Sequence, residues 1–173
     1  MKYTLKDILR SGKSTDVNEV EIMIYFAKLF KCRKFLEIGT CTGSFSISIA
    51  RAFGVDAAID TVDIEDKPEA KKAALAYKNI NFHSCGSDEY FKQNKTKYDF
   101  IFVDGCHTAP QSKKDINNSV ECLSKNGIIF IHDIRKTKKK SKDVLYSYRK
   151  FKDHRFIKFT IKTSRGMGVL LPI

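Results

Sequence analysis

Four residues in the first part of the chain have the types and spacing of a nucleoside-binding site. Glu37, Gly39 and Gly43 follow an apolar run, and Asp63 ends the next apolar run. A glycine turn between a strand and a helix brings bare backbone close to a ligand, and the later carboxylate can bind both hydroxyls of a ribose. A dinucleotide fingerprint needs Gly-x-Gly-x-x-Gly, whereas Cys41 stands at the middle glycine position. The spacing therefore indicates a nucleoside cofactor rather than a dinucleotide.

Polar residues also follow two later apolar runs, at the point where each run ends. One run is followed by Asp104 and His107, and the next by His132 and Asp133. In a doubly wound sheet, ligands lie beyond the carboxyl ends of the strands. We therefore expect two aspartates and two histidines to meet at the mouth of one cleft.

Apolar strands and amphipathic helices alternate along the chain that carries these residues. A first helix is expected over 17–30, because its apolar residues recur at steps of three and four behind a capping pair, Asp16 and Glu19. Such alternation predicts a mostly parallel sheet covered on both faces, with the last two strands paired antiparallel because no crossover helix fits between them. Strands are expected at 58–63, 80–84, 98–103, 127–131, 156–161 and 168–171, and helices after Gly43 and at 67–77, 88–92, 110–123 and 142–152.

Together, Glu-x-Gly-x-x-x-Gly with its later acid, Val-Asp-Gly-x-His and His-Asp-Ile resemble the class I S-adenosylmethionine-dependent methyltransferases. The likeness is to the small-molecule O-methyltransferase branch, related to macrolide sugar and, more distantly, catechol O-methyltransferases. It implies an α/β, Rossmann-like fold: a doubly wound, seven-stranded, mostly parallel sheet whose last strand is antiparallel. The whole of 1–173 would be one domain, with an N-terminal helical segment at 1–32 and a core at 33–173. The implied cofactor-binding residues are Glu37, Gly39, Thr40, Gly43, Ser44, Asp63, Ser87 and Asp104.

The resemblance implies methyl transfer from a sulfonium to a hydroxyl of a small molecule or sugar. A neutral alcohol is a weak nucleophile, so His107 is expected to be the base, and Asp104 the second catalytic residue. Asp104 and Asp133 are expected to hold a divalent metal, Mg or Mn, that lowers the pKa of the hydroxyl. Relatives usually place a carboxylate where His132 stands, and a histidine suits manganese, iron or zinc better than magnesium.

Each of these polar residues also has a purely structural interpretation. Asp104 can cap the following turn, His132 can fill the sheet end with its ring bonded to backbone, and His107 can order its loop. Cys41 and Cys106 lie near the expected cleft. A nucleophilic thiol needs surroundings that stabilise the thiolate, and the sequence indicates none.

The composition limits the class of protein. A chain of 173 residues fits one domain, and no apolar run approaches the roughly 18 residues that span a bilayer, so we expect a cytoplasmic protein without membrane insertion. Five widely spaced cysteines are expected to be reduced. The run from Gly12 to Thr15 resembles the end of a phosphate-binding P-loop, but Asp7 stands where that loop needs its first glycine.

Basic residues are concentrated near the C-terminal end. Between positions 134 and 165 there are thirteen basic residues and two acidic ones, in a chain of formal net charge +12. Such a block can attract nucleic acid, an anionic substrate or a membrane surface, or it can be a solvated helix face and loop. A nucleic-acid methyltransferase and a catalytically silent cofactor-binding protein are therefore the alternatives to a small-molecule enzyme. The sequence leaves open whether the chain forms a homo-oligomer.

Overall fold

The computed structural model of the protein describes residues 15–135 and 142–173. Within them, seven strands form one sheet, and helices cover both of its faces. The strands are β1 Lys34–Ile38, β2 Ala58–Asp63, β3 Ile80–Ser84, β4 Tyr98–Val103, β5 Leu123–Ile131, β6 Phe156–Ile161 and β7 Met167–Pro172. The helices are α1 Val17–Leu29, α2 Ser44–Phe53, α3 Pro68–Ala73, α4 Ser87–Gln93, α5 Ala109–Glu121 and α6 Lys142–Lys150.

The strand order is β3-β2-β1-β4-β5-β7-β6. The first five strands are parallel to their neighbours, whereas β7 pairs antiparallel with both β5 and β6. This is the mostly parallel, seven-stranded sheet with an antiparallel last strand that the sequence predicted. The strand order reverses direction between β1 and β4, and this reversal leaves a crevice at their carboxyl ends.

The three central strands are buried on both faces, and alternate residues serve different cores. In β4, Phe100 and Phe102 pack toward one hydrophobic cluster, while Ile101 and Val103 pack toward the other. Phe130 of β5 stacks on Phe100 with ring centroids 5.1 Å apart. Strands packed this tightly hold their ends in fixed register, and the site residues lie at those ends.

Two local predictions need correction. The helix expected at 67–77 ends at Ala73, so it is shorter than its pattern indicated. β5 begins at Leu123 rather than at Gly127, because Gly127 lies inside the strand. A Cβ at Gly127 would stand 2.7 Å from Leu123 Cδ1 and 3.0 Å from the Tyr98 carbonyl oxygen, so this glycine permits close packing and does not begin the strand.

The predicted capping pair is only half right. Asp16 does cap α1, since its carboxylate accepts a hydrogen bond of 2.9 Å from the Asn18 amide. Glu19 instead turns away from the helix start and enters the protein interior, where it is fully buried. Its partner there belongs to the candidate site.

Some sequence features lie outside the described residues. They are Gly12 to Ser14 of the P-loop-like run and the basic stretch 136–141. Among the residues that the structure does describe, no helix is both long and apolar enough to cross a bilayer.

Candidate functional site

The glycine turn after β1 is built on two glycines with positive φ. Gly39 has φ +100° and Gly43 has φ +74°, a region of backbone conformation that favours glycine. The Gly39 amide donates to the carbonyl of Val62 at 2.8 Å, which ties the turn to the end of β2. A Cβ on Gly39 would stand 2.2 Å from the Asp104 carbonyl oxygen, so the turn also presses against the end of β4.

Glu37 supports this turn from inside the protein. Its Oε2 accepts hydrogen bonds from Ser46 Oγ at 2.6 Å and Thr61 Oγ1 at 2.7 Å, and Thr40 Oγ1 lies 2.7 Å from the same Thr61 oxygen. Burial raises the pKa of Glu37 to about 8, although the two hydroxyl donors oppose that shift. The carboxyl is therefore mostly protonated at neutral pH. It joins β1, β2, the turn and α2 in one buried network.

Asp63 lies beside the turn, as expected of a ribose-binding carboxylate. Its Oδ2 accepts from the Cys41 amide at 3.2 Å, and its Oδ1 accepts from the Glu65 amide at 3.1 Å. Lys67 Nζ stands 3.4 Å from Oδ1. Thr40 and Ser44, also expected to bind the cofactor, are almost completely buried at this turn.

Ser87 begins α4, and its hydroxyl already has partners in α5. Ser87 Oγ donates to Asp115 Oδ1 at 2.7 Å and accepts from Gln111 Nε2 at 3.1 Å. Asp115 is 1% exposed, and burial raises its pKa. Sequence reasoning missed Asp115, because an aspartate in the middle of a helix looks like an ordinary exposed residue. Ser87, which the sequence predicted to bind the cofactor, thus lies in a polar junction between α4 and α5.

Asp104, His107 and Asp133 come together at the carboxyl ends of β4 and β5. Their ligand atoms all lie within 4.8 Å of one another. His107 Nε2 is 2.9 Å from Asp133 Oδ2 and 3.8 Å from Asp104 Oδ1. Asp133 reaches this position with φ +56°, an uncommon conformation for a residue with a side chain. The sequence placed all three residues at one mouth, and the structure brings them into contact.

The charges of this cluster affect its protonation. The neighbouring carboxylates of Asp104 and Asp133 raise the pKa of the His107 imidazole to about 9, against the effect of burial. Burial acts to raise the pKa of Asp104, but the charge and hydrogen bond of His132 and the nearby His107 lower it. With these neighbours, His107 is an imidazolium at neutral pH. It can act as a base only when the two carboxylates have other partners.

His132 has a different role from either of those considered in the sequence. It is 1% exposed; its Nδ1 lies 3.0 Å from Asp104 Oδ1 and its Nε2 lies 2.9 Å from Glu19 Oε2. The interpretation in which its ring bonds to backbone is wrong, because both nitrogens face carboxylates. Burial opposes its charge, yet the charge and hydrogen bond of Asp104 and the hydrogen bond of Glu19 raise its pKa to about 10.

Cys41, one of two cysteines near the cleft, does not have the surroundings of a nucleophile. It lies in the glycine turn with φ +48°, and partial burial of its thiol raises the pKa. Cys106 is exposed, with Sγ 3.4 Å from Thr108 Oγ1. A thiolate would need a nearby positive charge or a lowered pKa, and Cys41 has the opposite shift.

The family comparison agrees with this geometry. A family model described as a methyltransferase domain matches residues 36–134, more than half of the chain. The chain belongs to the methyltransferase-domain family. The matched residues of this methyltransferase run from the glycine turn through Asp63 and Asp104 to Asp133, and they exclude Glu19. No curated protein matches the chain.

Solved structures share the fold of this methyltransferase at low sequence identity. The O-methyltransferase TomG from Streptomyces achromogenes, involved in tomaymycin synthesis and solved with SAM, has a TM-score of 0.81 at 17% identity, over 99% of this chain and 90% of its own. An O-methyltransferase from Bacillus cereus, in complex with SAH, has a TM-score of 0.81 at 13% identity over 99% and 91%. The SAH-bound methyltransferase PaMTH1 from Podospora anserina has a TM-score of 0.83 at 15% identity over 100% and 89%. These likenesses confirm the class I methyltransferase fold.

Proposed function

We propose that this methyltransferase transfers a methyl group from S-adenosylmethionine to a hydroxyl of a small molecule or sugar. The observation that carries the proposal is the contact between Gly39 and the backbone of Asp104. It places the cofactor turn directly against the cluster of Asp104, His107 and Asp133. A methyl donor in the turn and a hydroxyl at the cluster would therefore be neighbours. TomG and the Bacillus cereus enzyme, both O-methyltransferases with cofactor or product bound, support the assignment by analogy.

The residues around the turn fit a nucleoside cofactor. S-adenosylmethionine would supply an electrophilic methyl group on its sulfonium. Gly39 and Gly43 present backbone without side chains, and Glu37 stabilises the turn through hydrogen bonds in the protein interior. The Asp63 carboxylate lies at the end of β2 and would accept hydrogen bonds from two ribose hydroxyls. Ser87 and its junction with α5 would border the adenine.

The cluster of acids and histidine fits the activation of a hydroxyl. His107 is the residue we assign as general base, because it is partly exposed at the mouth, with 42% of its side chain accessible. Asp104 and Asp133 hold it on two sides. The catalytic pair proposed from the sequence, His107 and Asp104, thus lies within 3.8 Å.

The same carboxylates fit a divalent cation. Asp104 and Asp133 offer hard oxygen ligands, and His107, whose ring nitrogen lies within 4.8 Å of them, is assigned as the base and not as a ligand. A bound cation would supply positive charge that lowers the pKa of an acceptor hydroxyl. His132 does not enter this donor set, because Glu19 and Asp104 occupy its two nitrogens. The argument from the sequence that a histidine disfavours magnesium therefore loses its basis, and Mg or Mn both fit.

A methyl-transfer assay tests this function. Purified protein, labelled S-adenosylmethionine and a panel of phenols and sugars should give methylated product, and chelation with EDTA should reduce the rate. Added Mg²⁺ or Mn²⁺ should restore it. Product formation only with RNA or DNA would contradict the small-molecule assignment, and cofactor binding without transfer to any acceptor would favour a silent binding protein.

A further inference from the structure

A buried chain of three side chains connects α1 to the candidate metal site. Glu19 Oε2 lies 2.9 Å from His132 Nε2, and His132 Nδ1 lies 3.0 Å from Asp104 Oδ1. Glu19 and His132 are 0% and 1% exposed, so water cannot replace either partner. The contact joins residues 113 positions apart in the sequence.

The chemistry of this chain fixes the orientation of the imidazole. An ionised carboxylate accepts hydrogen bonds and cannot donate them. With a carboxylate oxygen within 3.0 Å of each nitrogen, the His132 ring cannot rotate without breaking one of the two contacts. The Nδ1–H group is therefore aimed at one oxygen of Asp104. The orientation of the Asp104 carboxylate then depends on Glu19, although Glu19 does not contact Asp104, His107 or Asp133 directly.

Glu19 is itself held by the turn between β6 and β7. Its Oε1 accepts from the Arg165 amide at 3.4 Å and from Ser164 Oγ at 3.5 Å. Carbonyl oxygens of the same turn accept hydrogen bonds from the segment after Asp133. Ile134 N donates to the Gly166 carbonyl at 3.2 Å, and Arg135 N donates to the Arg165 carbonyl at 2.8 Å. One turn thus supports both carboxylates of the candidate site, Asp104 through Glu19 and His132, and Asp133 through the backbone.

We propose that Glu19 is a positioning residue, which acts through His132 to orient Asp104 as a ligand for a divalent cation. This inference rests on the proposed function. Outer partners of metal ligands commonly set ligand orientation, and their loss weakens metal affinity about 10- to 100-fold. Glu19 lies outside the residues that the family model matches.

The test separates the length of the Glu19 side chain from its charge. Glu19→Gln keeps the length of the side chain, and its amide oxygen can still accept from His132, whereas Glu19→Asp keeps the charge but withdraws the carboxylate by one methylene. Mn²⁺ affinity is measured by titration calorimetry on the full chain, with SAH affinity measured in parallel. Glu19→Ala removes both properties, and Glu21→Ala is the control on the exposed side of α1.

We expect Glu19→Asp and Glu19→Ala to weaken Mn²⁺ binding at least about 10-fold, and Glu19→Gln to stay within about 3-fold of wild type. SAH affinity and the Glu21→Ala control should change less than about 2-fold, within the range of a surface substitution. Wild-type Mn²⁺ affinity in Glu19→Asp, or equal losses in Glu19→Gln and Glu19→Ala, would overturn the positioning role. Absence of Mn²⁺ binding in wild type that still binds SAH would also overturn it, while leaving the cofactor site intact. Failure of wild type to bind SAH would instead count against the proposed function.

Discussion

Gly39 and Asp104 touch through their backbones: the Asp104 carbonyl oxygen lies 2.2 Å from the point where a Cβ on Gly39 would stand. The cofactor turn after β1 and the strand end that carries the acid are therefore one rigid unit. Any side chain at position 39 separates them.

Gly39→Ala should consequently disrupt both stability and cofactor binding. The positive φ of +100° and the clash with backbone act together, and we expect a loss of about 3 kcal/mol in the free energy of unfolding. Gly86→Ala is the control, because Gly86 has φ −65° and nothing within 4 Å of its Cβ position. It should cost less than about 1 kcal/mol, because neither backbone strain nor a clash results. Urea unfolding of both variants measures the difference; equal losses would show that the contact with Asp104 is unimportant.

Glu37 should make stability fall as the pH rises. Its pKa is about 8 in the folded protein against an ordinary value of 4.5, so the folded state keeps a proton that the unfolded chain releases between these values. Stability must therefore decrease with rising pH across that window. Glu37→Gln has no such proton to release, so its stability should fall less between pH 5 and pH 8. Thermal unfolding across this range measures both slopes, and parallel slopes would contradict a protonated Glu37.

His107→Ala should lower the rate of methyl transfer by about 10²- to 10⁴-fold, the contribution of a general base. SAH affinity should stay near the wild-type value, because His107 lies at the acceptor side of the mouth. His154→Ala is the control, since His154 is an exposed histidine outside the site. A role in loop order alone would predict that SAH affinity and thermal stability fall together with the rate.

Lys158 shows that part of the basic region serves the fold. Its ammonium donates to the carbonyl oxygens of Tyr148, Arg149 and Phe151 at 3.0 to 3.2 Å, which caps the end of α6. Lys158→Ala should destabilise the protein by about 1 kcal/mol, a value reduced for its solvent exposure. Lys162→Ala, an exposed lysine at the end of β6, should cost less than about 0.5 kcal/mol. Denaturant unfolding tests both, and equal losses would remove the special role of Lys158.

The sequence was sufficient to predict the fold and the location of the mouth. Sheet topology determines where strand ends lie. Once β1, β2, β4 and β5 are recognised as parallel, Asp63, Asp104 and Asp133 must lie at the carboxyl ends of the strands, on one side of the sheet. Local periodicity found these strands because they are buried on one or both faces. It failed at the start of β5, where Gly127 resembles the residue that begins a strand but lies inside the strand and allows close packing against Leu123.

The supporting residues could not be predicted in the same way. Glu19 has the local signature of a helix cap, and nothing nearby in sequence indicates a partner 113 residues away. Asp115 likewise resembles a surface residue of α5 until its burial is known. The burial of both residues depends on how their helices pack against the sheet, which is a long-range property of the fold.

We propose that the turn after β1 binds the nucleoside of S-adenosylmethionine. Titration calorimetry with SAH on the wild-type chain and on Asp63→Ala tests this binding site. We expect one site in the wild type and an affinity at least about 10-fold weaker in Asp63→Ala, because the ribose loses a carboxylate that accepts its hydroxyls. No heat of binding in the wild type, or the same affinity in both proteins, would contradict it.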